Sequence, residues 1–124
     1  MSLFKLGDFT LHSGQNTNWI IDCNALSDDD LECLAHIGRA LVGPFGNVTG
    51  IPKGGLRFAK KMKKYSSIGP DLIVDDVFTT GNTITEMRKS LFIDKEIFGL
   101  VIFSRTRTVP GWITPIFTLF SEVT

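Results

Sequence analysis

The sequence predicts a single α/β domain, a mainly parallel sheet flanked by helices with a small N-terminal hood before it. Short apolar runs alternate with amphipathic stretches, the order that builds strand–helix–strand units. Two of those runs pass directly into turns of glycine or hydroxyl residues that open helices, around Gly54 and around Thr79. The chain of 124 residues is 43% hydrophobic and 21% charged, the size and composition of one domain with one core.

The hood is expected over about residues 1–26 and the α/β core over about 27–124. Phe9 to His12 and Trp19 to Cys23 read as short strands around the turn-rich Ser13 to Asn18, which predicts a hairpin or flap. Ser27 followed by Asp30 has the spacing of a capping box. Leu31, Leu34, Gly38, Leu41 and Val42 then share one helical face, and Gly43-Pro44 ends the helix. Val48 to Ile51 is a short buried strand leading to Pro52-Lys53-Gly54-Gly55, and Leu56 to Lys64 is helical. Leu72-Ile73-Val74 has the continuous apolar character of a strand covered on both faces, and is expected to end at Asp75-Asp76. Thr83 with Glu86 suggests a second capping box before Ile84, Met87, Leu91 and Phe92. Ile97 to Phe103 and Pro115 to Phe120 supply the last strands. Such a sheet is expected to have right-handed crossovers and to bind ligands beyond the carboxyl ends of its strands.

Thirteen Lys and Arg balance thirteen Asp and Glu, so the overall field favours neither nucleic acid nor an anionic membrane as partner. Neither a signal-peptide pattern nor an apolar run of membrane length is legible. Cys23 and Cys33, outside any Cys-x-x-Cys pair, suggest free thiols and a cytoplasmic location.

Three strand ends carry the candidate chemistry. Thr79-Thr80-Gly81-Asn82-Thr83 enters a helix, where unpaired amides and the helix dipole favour an anion such as a phosphate monoester; a capped turn is the alternative. Asp75 and Asp76 could accept hydrogen bonds from sugar hydroxyls or hold a divalent cation through water, rather than form a merely exposed acidic turn. Pro52-Lys53-Gly54-Gly55 offers a lysine and a second helix start for another phosphate, though such a sequence is also an ordinary turn. No Walker A pattern occurs. His12 and His36 lack partners at metal-ligand spacing, and Trp19 and Trp112 read as packing residues.

The run Leu72-Ile73-Val74-Asp75-Asp76-Val77-Phe78-Thr79-Thr80-Gly81-Asn82-Thr83 resembles the phosphoribosyl-pyrophosphate signature of type I phosphoribosyltransferases. Phe9 to Gly14 resembles the hood of the orotate branch, and Phe103-Ser104-Arg105 the strand end whose arginine meets orotate there. The resemblance spans about Phe9 to Phe120 and implies transfer of a ribosyl 5-phosphate from phosphoribosyl pyrophosphate to a nucleobase, with Mg²⁺ as cofactor and a homodimer as assembly. It places Asp75 and Asp76 as catalytic residues on the ribose hydroxyls, meeting the metal only through water or ribose. Residues Thr79 to Thr83 fall on the 5-phosphate, with Val77 and Phe78 in the same substrate-binding segment. Catalytic Lys53, with Pro52, Gly54 and Gly55, falls on the pyrophosphate, and Arg105 on the base, although a surface ion pair is its alternative.

The orotate enzymes also carry a strand and a long basic lid before the segment matching Leu72. Here only Lys60 to Asp71 remains, and its lysines either compensate or form a solvated face. A non-catalytic phosphoribosyl-pyrophosphate or nucleotide sensor is the competing class. A phosphoacceptor switch domain is a third, disfavoured because its acids follow the first strand.

Overall fold

In the computed structural model, which describes residues 1–11, 14–91 and 96–119, two separate sheets form. The hood is an antiparallel hairpin of β1 (Phe4–Thr10) and β2 (Asn16–Ile21). It begins earlier than the sequence pattern suggests, because a register shift between Leu6 and Phe9 interrupts the alternation that would reveal one strand. His12 and Ser13 of the expected hairpin lie outside the described residues.

A short 3₁₀ turn, Cys23–Ala25, leads into α1 (Asp28–Val42). The expected capping box is formed: Asp30 N–H donates to the Ser27 hydroxyl at 3.0 Å, and Ser27 N–H donates to the Asp30 carboxylate at 2.9 Å. Gly43 closes the helix at φ +73°, a conformation that favours glycine.

The core follows as β3 (Val48–Gly50), α2 (Gly55–Lys63), β4 (Asp71–Phe78), α3 (Asn82–Ser90), β5 (Ile97–Ser104) and β6 (Ile113–Thr118). These four strands are all parallel, in the order β3-β4-β5-β6. Phe120, expected to end the last strand, lies outside the described residues, as does Phe92 of the expected α3 face.

The sheet is covered on both faces. Phe58, Ala59 and Met62 of α2 join Leu31, Leu34 and Ala35 of α1 over Leu72, Val74, Leu100 and Ile102. Ile84 of α3 packs with Ile73, Val101 and Ile113 on the other face. This arrangement corrects one expectation. The steps β3-α2-β4 and β4-α3-β5 move the same way across the sheet but pass over opposite faces, so the two crossovers have opposite hands. One of them runs against the usual right-handed preference. The chain goes from α2 into β4 through residues 64–70 alone, too short a link to hold another strand outside β3.

A second correction concerns β4, which does not end at the acids. It continues through Asp75 and Asp76 to Phe78 because β5 goes on pairing with it, Asp75 opposite Val101 and Phe78 opposite Ser104. On the other side β3 stops at Gly50, opposite Val74. The acids therefore stand where β4 has lost one neighbour, and the space left by β3 becomes a cleft.

Candidate functional site

The cleft has a volume of about 740 Å³ at the carboxyl ends of β3, β4 and β5. From the β3–α2 turn come Pro52, Lys53 and Gly54; from the end of β4, Asp75, Asp76, Val77 and Phe78. The β4–α3 turn supplies Thr79, Thr80, Gly81, Asn82 and Thr83, and Arg105 follows β5. The fold thus brings together every residue singled out in the sequence except Gly55.

Gly55 is buried at the start of α2, and its N–H is already committed to the Ile51 carbonyl at 2.8 Å. A Cβ there would stand 2.6 Å from the Val74 carbonyl oxygen. Its role is to let α2 approach β4 closely. Gly54, by contrast, lies against the Asp76 carboxylate so closely that a Cβ would overlap it. The Pro52–Lys53 peptide is cis. The Lys53 side chain has no hydrogen-bond or ion-pair partner among the described residues.

The α3 entrance differs from the expected capping box. The N-cap is Gly81, at φ +80°, with no side-chain cap, and Thr83 falls inside the helix. Glycine is required on two counts: the positive φ, and the Phe78 ring, which a Cβ would meet at 2.6 Å. Only a long bond of 3.4 Å from Asn82 N–H to the Thr80 hydroxyl engages the first turn by a side chain. The N-cap of α2, Gly54, likewise has no side-chain cap. The start of α3 thus leaves first-turn amides for a ligand, whereas at α2 the Gly55 and Leu56 amides already donate to the Ile51 and Lys53 carbonyls at 2.8 and 3.2 Å, and α1, which starts away from the cleft, is capped by its own Ser27 and Asp30.

Asp75 and Asp76 fold back on the backbone. The Asp75 carboxylate accepts the Asp76 N–H at 2.8 Å, and the Asp76 carboxylate accepts the Val77 N–H at 2.7 Å. Burial, reinforced by the neighbouring Asp76, pushes the Asp75 carboxyl up to about 8. Between its ordinary value of 3.8 and about 8 the folded state binds one more proton than the unfolded chain, so stability falls as pH rises through that window. The expected slope is up to about 1.4 kcal/mol per pH unit. Urea titrations at pH 5, 6 and 7 should show wild type losing stability relative to Asp75→Asn; parallel curves would mean that Asp75 is already ionised in the free protein.

Arg105 is only partly exposed, and burial lowers its pKa below the ordinary guanidinium value. Its backbone N–H donates to the Phe78 carbonyl at 2.9 Å, which ties it to the hydroxyl-rich turn. Instead of a surface ion pair, its guanidinium stacks 3.8 Å from the Trp19 ring centre and donates to the Thr17 hydroxyl at 3.0 Å. Trp19 therefore packs, as expected, but its partner is a charge at the site. Trp112 packs similarly under Arg88, 4.4 Å away. The hood adds Thr10, Leu11, Ile20 and Ile21 to the cleft wall, opposite the apolar Ile51, Ile84 and Val101. None of these seven was expected as a site residue: Thr10 and Leu11 were read only as part of the hood, and apolar residues look alike in a sequence whether they face a core or a ligand.

A second cavity of about 390 Å³ adjoins through Lys53, Gly54 and Asp76 and includes Cys23. Burial and nearby carboxylates push that thiol up to about 12, so it is no nucleophile at neutral pH. Cys33 is an exposed free thiol, and His36 is exposed on α1. His12 lies outside the described residues. Lys61 and Lys64 pair with Glu32 of α1, beyond the middle of α2 and away from its cleft end. Among the described residues no helix is long and apolar enough to cross a membrane, and no cluster of three or more His, Cys, Asp or Glu could hold a metal unaided.

No family model and no curated protein matches this sequence. Solved structures do. Orotate phosphoribosyltransferase from Aeropyrum pernix superposes with a TM-score of 0.75 at 21% identity, covering 94% of this chain and 88% of that one. The Mycobacterium tuberculosis orotate phosphoribosyltransferase, solved in complex with inorganic phosphate, gives 0.67 at 16% identity over 92% and 87%. A phosphoribosyltransferase from Corynebacterium diphtheriae gives 0.67 at 15% identity over 82% and 83%. Four parallel strands between helices, with a hairpin hood ahead of them, make this the fold of the type I phosphoribosyltransferases.

Proposed function

We propose that the protein binds phosphoribosyl pyrophosphate and transfers its 5-phosphoribosyl group to an orotate-like nucleobase, releasing pyrophosphate. The observation that carries this reading is the convergence on one cleft of two helix starts without side-chain caps, the acidic pair at the end of β4 and the Arg105 guanidinium. Two separated anion sites with sugar-hydroxyl acceptors between them match a ribose bearing phosphate at one end and pyrophosphate at the other.

In this reading the α3 entrance and the hydroxyls of Thr79, Thr80 and Thr83 hold the 5-phosphate. Asp75 and Asp76 accept from the ribose hydroxyls, and Lys53 with the Gly54 turn meets the pyrophosphate. The bond from the anomeric carbon to the pyrophosphate oxygen breaks, its electron pair leaving with pyrophosphate, as a bond forms from that carbon to a ring nitrogen of the base. The nitrogen's proton, where present, passes to solvent. Two adjacent carboxylates supply too few oxygens for an octahedral Mg²⁺ shell, but they fit an ion carried on the substrate's own oxygens and met through water. Such an ion would neutralise charge growing on the leaving group.

The direct passage from α2 to β4 leaves no room for a lid and favours a second reading, a binding protein that senses phosphoribosyl pyrophosphate without turnover. One experiment separates the two. At ligand near a hundred times its dissociation constant, phosphoribosyl pyrophosphate with Mg²⁺ should stabilise the fold by about 2.7 kcal/mol, read as a thermal shift. Pyrophosphate release with a panel of bases then marks an enzyme, and stabilisation without release marks the sensor. No shift at millimolar ligand, with or without Mg²⁺, defeats both.

A further inference from the structure

We infer that Trp19 and Thr17 of the hood are positioning residues that hold the Arg105 guanidinium as a pre-set fork for a carboxylate on the acceptor base. This rests on the acceptor reading above and adds the device that selects the acceptor. A guanidinium has five N–H bonds, and here one of them donates to the Thr17 hydroxyl. The hydroxyl is itself fixed: it donates to the Trp19 carbonyl at 3.1 Å and accepts from the Trp19 N–H at 3.4 Å. The indole occupies one face of the guanidinium. The four remaining N–H bonds have no partner among the described residues, while Arg105 lines the cleft.

An arginine that is free to turn loses rotamer entropy when it binds; one held by stacking and one hydrogen bond has already lost it. The pair also separates recognition from folding. Thr17 and Arg105 are 88 residues apart, so the fork is set only when the hairpin docks on the end of β5, where Phe4 meets Phe103 edge-on at 6.2 Å.

Two measurements test this. The first needs no ligand: in protein labelled with ¹⁵N-arginine, with the Arg105 signal assigned against Arg105→Lys, rotation about the Nε–Cζ bond should be slow in wild type. It should quicken roughly tenfold in Trp19→Leu and in the nearly isosteric Thr17→Val, and return close to the wild-type rate in Trp19→Phe, which restores an aromatic face. The second is calorimetry with orotate and with uracil, its carboxylate-free counterpart. Trp19→Leu and Thr17→Val should weaken orotate roughly tenfold, move uracil less than twofold, and leave phosphoribosyl pyrophosphate binding within twofold. Equal rotation rates in wild type and both variants, or equal losses for orotate and uracil, would overturn the inference. Wild-type protein that shows the slow rotation but binds no orotate overturns the acceptor reading and the fork's purpose together, while establishing the clamp itself.

Discussion

The double variant Asp75→Asn/Asp76→Asn is expected to lose roughly 10²- to 10⁴-fold in affinity for phosphoribosyl pyrophosphate while keeping its fold. Each charge-assisted hydrogen bond removed costs ~1.5–3 kcal/mol, and both acids line the cleft. The fold survives because asparagine keeps an oxygen for the Asp76 and Val77 amides that the two carboxylates now accept. Relief of the buried, crowded carboxyl at position 75 should even stabilise the free variant at alkaline pH. The loss should also depend on pH. With Asp75 pushed up to about 8, wild type must give up a proton before that group accepts as a carboxylate, so its advantage over the variant grows as pH rises toward 8 and levels off above it. Calorimetry at pH 6.5, 7.5 and 8.5, in buffers of different ionisation enthalpy, reads affinity and proton release together. Wild-type affinity in the double variant would remove the acids from the site.

Turnover is expected to fall roughly 10²- to 10³-fold below that of lid-bearing phosphoribosyltransferases for each leaving-group donor the lid would have supplied, with ligand affinity retained. In the proposed reading the turns around Lys53 and Thr79 would hold phosphates already present in the ground state, but charge that develops on the leaving pyrophosphate would meet fewer donors. The lysines of α2 do not fill that place within their own chain. The helix begins at the cleft with Gly55, and Lys60 to Lys64 lie roughly 7–13 Å further along its axis. Lys61 and Lys64 also pair with Glu32 there. Changing Lys60, Lys61, Lys63 and Lys64 together to Ala should therefore leave both affinity and turnover within about twofold, since long flexible side chains on a solvated helix face contribute little to a distant site. A large drop in turnover alone would show that these lysines reach a cleft after all, that of a second copy. Brisk turnover by wild type would defeat the lid argument itself.

Whatever depends on periodicity or on one residue's backbone preference could be read from the sequence. The helix from Ser27 to Gly43 followed from a capping box and an apolar stripe, both local, and both ends formed as expected. The turns at Gly54 and Gly81 were legible because few residues tolerate such close packing or a φ of +80°. Which residue caps α3 was not legible: Thr83 and Glu86 have the right spacing, but the Phe78 ring packs over Gly81, which is the N-cap, and the helix starts two residues earlier. The sequence by itself thus determined the strand–turn–helix units and the acid and hydroxyl run that ends the second of them. Tertiary structure alone decided that β4 runs on through Asp75 and Asp76, because β5 keeps pairing where β3 stops, and that Arg105 is held by Thr17 and Trp19 rather than by a surface ion pair. A local pattern fixes dihedrals and faces, whereas the end of a neighbouring strand and the docking of a hairpin 88 residues away depend on contacts that exist only once the chain has closed on itself.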